Sequence, residues 1–320
     1  MADRTPLRGT FFAFQKREGA LLLPAALTFI VGMIVLFVVW FVAMVAVVGG
    51  FAAAMQAQAN PGAAAAGGVL LIFPLYLIFL FSIFVLIAAF EAGCLRWMIR
   101  GEREGLFGLS LGADTWRVYS GYWLWFVFFI VGYIVLAVLG FSLIAIGTAL
   151  RDSPPAQVAW AVFSILLCVS LPIWLGVRTA PAAASSIVRR RFAFFDSWRV
   201  TKGRFWALFG SFVLLWLIYF VLIIAMWFPV FGPMFTAAFQ SALQHPGDSA
   251  ATSASMQEAM SSQFSSPAFV AMYFGFQVLG IFIATMFYIL NFGVNARAVL
   301  VAVEEGKIEG VTPGVAKAFE

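Results

Sequence analysis

Charge is the scarcest property of this chain. Only 10% of its 320 residues are Asp, Glu, Lys or Arg, where a soluble domain carries about 25%. Histidine occurs once, as His245 in a Pro-Gly loop, and cysteine twice, as Cys94 and Cys168. Two cysteines make no disulfide framework, and both read as small buried side chains. Hydrolytic or metal-assisted chemistry needs converging acids, histidines or thiolates. No HExxH, nucleophile elbow, P-loop or paired-carboxylate pattern occurs. The expectation is a chain that is not an enzyme and has no cofactor and no metal site.

Its few charges are also clustered. None occurs in residues 19–90, 118–150, 153–177, 205–247 or 260–296. A bilayer core about 30 Å thick needs roughly 20 apolar residues at 1.5 Å each. The first window holds two spans and the others one each. The sequence therefore predicts an all-α, polytopic transmembrane helical bundle of six spans, a single domain over residues 1–320. The spans fall at about 20–48, 69–92, 122–150, 156–177, 205–228 and 268–294. The first run is near thirty residues, too long for a signal h-region of about 7–15. Residues 51–68 read as a small-residue connection turning at Asn60-Pro61-Gly62. Pro181 ends or kinks the fourth helix, and Pro229 and Pro233 close the fifth. An outside loop follows at 230–267, with a short amphipathic helix near 234–244 and a Pro/Gly/Ser loop at 245–255. Gly132, Gly140 and Gly147 fall within about 80° of one another on span three, a flat face for close helix approach. The pairs Ala271/Gly275 and Gly280/Ala284 suggest the same on span six.

Basic residues set the orientation, since Arg and Lys in short loops stay cytoplasmic. Eighteen of the nineteen lie before span one, between spans two and three, between spans four and five, or in the tail; the exception is Arg151. Both termini are expected on the cytoplasmic side of a bacterial inner membrane, with Trp116, Trp123, Trp198 and Trp206 as anchors at head-group level. Bases placed beside apolar segments point to anionic lipid and not to nucleic acid.

The stretch RRRFAFFDSWRVTKGRFW, Arg189 to Trp206, repeats a pattern. Trp198-Arg199 precedes Gly203 as Trp116-Arg117 precedes Gly121, and Phe14 with Lys16 and Arg17 precedes Gly19. A second echo joins Gly101-Glu-Arg-Glu-Gly105 to Gly306-Lys-Ile-Glu-Gly310. Two readings stand side by side. One is three two-span repeats, each opened by a short interfacial elbow helix. The other is that any outward-going span tends to follow a base and an aromatic. With the six spans, the elbows and the tail ARAVLVAVEEGKIEGV (Ala296–Val311), the chain resembles six-span bacterial membrane proteins related to the membrane domain of glycerophosphodiester phosphodiesterases. In the fused members of that family, catalysis belongs to a separate soluble domain. The resemblance therefore implies a membrane module without chemistry of its own.

Ion-coupled carriers place ionisable groups near midplane, and these spans lack them through their centres. The nearest polar candidates, Glu91, Arg178, Asn291, Asn295 and Arg297, sit at the cytoplasmic ends of spans two, four and six. They either meet, with Glu91 pairing to Arg178 or Arg297, or snorkel separately to the head groups. Acids at Glu102, Glu104, Glu304, Glu305 and Glu309 read as solvated. The expected role is a non-enzymatic interaction, assembly or envelope-support module, with membrane lipids and other membrane proteins or further copies of the chain as partners. The runner-up is a facilitator or transporter subunit for an apolar or amphipathic solute. A solid core of Phe and Leu would favour the first and a cavity reaching midplane the second.

Overall fold

A computed structural model describes residues 22–57, 61–102, 104–105, 108–149 and 153–310. The Phe14 pattern, Arg151 and residues 311–320 lie outside the described residues. Nine α-helices form among the described residues, and no strand does. They are α1 (Leu22–Ala57), α2 (Pro61–Arg100), α3 (Ala113–Ala149), α4 (Pro154–Thr179), α5 (Ala182–Arg189), α6 (Ser197–Thr201), α7 (Phe205–Gln244), α8 (Ser249–Phe264) and α9 (Pro267–Glu304), with a 3₁₀ turn at Phe194–Asp196 before α6. Among the described residues, six helical segments are long and apolar enough to cross a membrane: Leu23–Val47, Ile72–Arg100, Ala113–Ala149, Pro154–Arg189, Phe205–Gln244 and Pro267–Glu304. The all-α, six-span reading therefore stands.

The helices run longer than hydropathy alone indicated. Residues 51–57 and 61–68 are helical, so most of the expected connection between the first two spans belongs to α1 and α2. Alanine is the strongest helix former, and an alanine-rich stretch continues a helix where a loop was expected. Pro229 and Pro233 do not close the fifth span, because α7 passes through both to Gln244. A proline forfeits one intrahelical bond and crowds the preceding turn, a cost that spanning helices tolerate. The loop beyond shrinks to residues 245–248. Ser249 to Phe264 is helical, with the Asp248 carboxylate accepting from the backbone N–H groups of Ala250 and Ala251 at 3.0 Å each. Pro181 does divide the fourth span: α4 stops at Thr179, and Pro181 stands directly before α5.

The chain forms two compact units, 1–209 with 292–320, and 210–291. In the first, buried side chains gather where α1 and α3 begin, where α2 and α9 end, and around α5. These are the segments beside the basic loops. The short helix α5 lies in this core because its run Ala182-Ala183-Ala184-Ser185-Ser186 is small enough to admit close neighbours. Its hydroxyls are satisfied: Ser185 donates to Pro181 O at 2.8 Å, and Ser186 donates to Ala182 O while accepting from the Ala193 N–H. Away from that end the spans loosen. The most apolar windows of α1, α3 and α4 contain no buried residue.

The second unit holds most of α7, α8 and the first part of α9. Phe287 packs on Trp216 and Tyr219 with ring centroids at 5.0 and 4.5 Å, and Trp227 meets Tyr273 at 5.6 Å. A side chain on Gly280 would meet Met226 Cε at 3.2 Å, so this glycine serves a helix contact as its spacing suggested. One on Gly275 would meet nothing within 4 Å. The flat face expected on α3 is not used for close approach at Gly132 or Gly140, where an added Cβ also meets nothing. At Gly147 it would touch Trp160 at 3.5 Å.

Candidate functional site

Two features of the first unit stand out, a net of ion pairs at the basic end and an apolar cavity beside it. The net starts at Arg96, on the last turns of α2 and 1% exposed. Its guanidinium donates to Glu104 at 2.6 Å, Ser110 at 2.9 Å and Gly108 O at 3.2 Å, folding the 101–112 loop back over α2. One turn on, Arg100 binds the Asp114 carboxylate at the start of α3, and Arg117 reaches the other Asp114 oxygen at 2.5 Å. Arg190 carries the net to α5 through Glu102 at 2.5 Å. Arg189 binds both Asp196 and, at 3.1 Å, Glu309. Arg204 and Lys307 hold Glu305. The acids read as solvated from sequence are thus partners at Glu102, Glu104, Glu305 and Glu309.

The paired glycine echoes gain a structural meaning at this net. Gly101 and Gly306 follow α2 and α9 with φ of 73° and 69°, the left-handed conformation that stops a helix. Arg190 performs the same turn after α5 at φ 51°. Beyond Gly306, the segment to Gly310 crosses α5 so closely that a Cβ on Gly310 would sit 2.2 Å from Val188 Cγ1. The elbows are less regular. The Trp198 segment is a separate short helix broken at Lys202–Arg204, whereas Trp116 lies on α3 itself, with no break before its span.

The structure does not bring Glu91 to Arg178 or Arg297. The Glu91 carboxylate, buried on α2, accepts a hydrogen bond from the Tyr122 hydroxyl on α3. Arg178 donates to Thr201 Oγ1 at 3.2 Å and lies 5.8 Å from the ring centres of both Trp174 and Phe205. Asn291 donates to Phe287 O, one helical turn back. Asn295 Oδ1 and Arg297 Nη1 are buried without hydrogen-bond partners. A tyrosine at an outward span's first turns was the sequence signal available for the Glu91 contact. Trp116, Trp123, Trp198 and Trp206 are all exposed, as interfacial rings would be.

The cavity lies between α3 and α4, is partly open, and has a volume of about 120 Å³. Phe128, Phe129 and Leu136 form one wall and Leu171 and Leu175 the other, with Trp198 across one end. The Trp125 indole N–H donates to Thr179 Oγ1 at 2.8 Å, and that hydroxyl donates to Leu175 O at 2.9 Å. The Trp125 indole and the Thr179 hydroxyl are therefore engaged with each other. Among the described residues, no group of three or more His, Cys, Asp and Glu is placed to hold a metal ion. The chain matches no protein-family model, no curated protein and no solved structure.

Proposed function

We propose that this chain is a non-catalytic assembly module of a bacterial inner membrane, holding neighbouring membrane proteins against its lipid-exposed helices. The observation that carries the reading is the uneven burial along α1, α3 and α4. Their basic-side ends are packed or ion-paired, while their most apolar windows bury nothing within the chain. Those windows meet lipid in any case, and long unpacked helices set on a rigid base suit lateral association. Membrane helices associate through van der Waals packing and small residues, and Gly140 on α3 remains open for it. The basic end faces the cytoplasm on this reading. The resemblance to the phosphodiesterase membrane domain implies the same kind of role, since in the fused members of that family the chemistry belongs to a separate soluble domain.

Photocrosslinking in native membranes tests the reading. A photoreactive residue at Phe141, Ile144 or Val158, all exposed on α3 and α4, is expected to give discrete protein adducts. Lipid adducts alone at all three positions would rule it out. The cavity between α3 and α4 favours the second reading, a facilitator for an apolar or amphipathic solute. Solute-dependent flux into vesicles containing the purified chain is the outcome that would establish it.

A further inference from the structure

The cavity between α3 and α4 supports an inference that does not depend on the assembly role. Its α3 wall runs from Trp125 to Leu136 along one stripe of the helix. Eleven residues at 1.5 Å rise make that stripe about 16 Å long. About 120 Å³ drawn out along such a length is a narrow slot along a spanning helix. That shape fits an extended hydrocarbon chain and not a compact or planar solute. The slot offers a ligand no free polar group from the Trp125–Thr179 pair, whose hydrogens are both donated within the protein. Its space exists partly because residue 132 has no side chain: a Cβ on Gly132 would meet nothing within 4 Å.

Charge at the Trp198 end decides which amphiphile fits. The cations of the central basic stretch fall into two groups. Arg189, Arg190 and Arg204 are bound to carboxylates. Arg191, Arg199 and Lys202 are exposed and have no carboxylate partner among the described residues. Arg199 directly follows Trp198, an exposed residue of the slot's lining. We propose that the α3–α4 cavity binds one acyl chain of an anionic phospholipid, with the lipid phosphate held by Arg199 at the Trp198 end.

The test is native mass spectrometry of the full chain in detergent, offered equal amounts of phosphatidylglycerol and phosphatidylcholine. The unaltered chain is expected to retain one phosphatidylglycerol. Gly132→Leu, which fills the slot and suits a helix better than glycine, is expected to lose it. Arg199→Gln is expected to keep the acyl site while its preference for the anionic lipid falls about fivefold, the effect of one interfacial cation. Should Gly132→Leu disturb folding, Leu175→Trp fills the slot from the α4 wall. Retention by both filled variants equal to that of the unaltered chain would overturn the proposal, as would equal retention of the two lipids by the unaltered chain. Absence of protein crosslinks on α3 and α4 would remove the assembly reading and leave this result standing.

Discussion

Glu91 illustrates what a single residue's surroundings decide. An acid at the end of a spanning helix invites pairing with a cation, and Arg178 and Arg297 stand at comparable ends. Instead its carboxylate is held by the Tyr122 hydroxyl. Tyr122→Phe should therefore destabilise the chain by about 1–3 kcal/mol, the cost of leaving a buried acceptor unsatisfied, measured by thermal unfolding in detergent. Exchanging the Glu91 and Arg178 charges should rescue nothing that the single changes lose. Gly93 presents a steric case. A Cβ there would lie 2.5 Å from the Gly108 carbonyl oxygen, backbone that cannot swing away and that accepts from Arg96. Gly93→Ala should cost about 1–3 kcal/mol by overpacking, read in the same unfolding assay, whereas Gly132→Ala, facing open space, should cost nothing.

At the scale of elements, caps and clasps matter more than propensity. The helix α8 is rich in serine and alanine and starts only where Asp248 accepts from two backbone N–H groups. Asp248→Ala should weaken it by about 1 kcal/mol. Faster amide exchange over residues 249–255, with none over α3, is the expected reading. The 305–310 segment is clasped to the central basic stretch by Glu305, Lys307 and Glu309, and Ile308 is buried. Lys307's hydrogen bond, aided by Arg204, holds the Glu305 carboxyl below its ordinary value of 4.5. A depressed carboxyl contributes stability that is present above its unfolded value and lost as pH falls through its folded value. The clasp should thus loosen below about pH 4.5, seen as faster proteolysis of the 303–310 region. Glu305→Gln should be loosened already at neutral pH and show less of that pH dependence.

For the whole molecule, the decisive feature is that burial and ion pairing concentrate at one set of helix ends in the first unit, while apolar windows of three spans stay uncovered. On the proposed orientation, the one-sided basic residues keep those ends in the cytoplasm. A reporter fused after Glu320 should be active only there, and a cysteine at Ser249 should react only with reagents added from the opposite side. The number of spans and their approximate places were legible in the residues, because a charge-free run of bilayer length leaves the backbone no alternative to a helix. Left-handed glycines at 101 and 306 were legible as an echo but not as matching helix stops. The course of α7 through two prolines was not legible, since the cost of each proline depends on the packing and backbone bonding around it. Nor could composition say which acid meets which base. Sequence alone determined that the chain is helical and carries six segments long and apolar enough to cross a membrane, because hydropathy acts residue by residue. Only the tertiary structure decided that Glu91 meets Tyr122, that Arg96 ties down the 101–112 loop, and that α3 and α4 leave a slot between them, because distant segments must first be brought within hydrogen-bond or van der Waals reach.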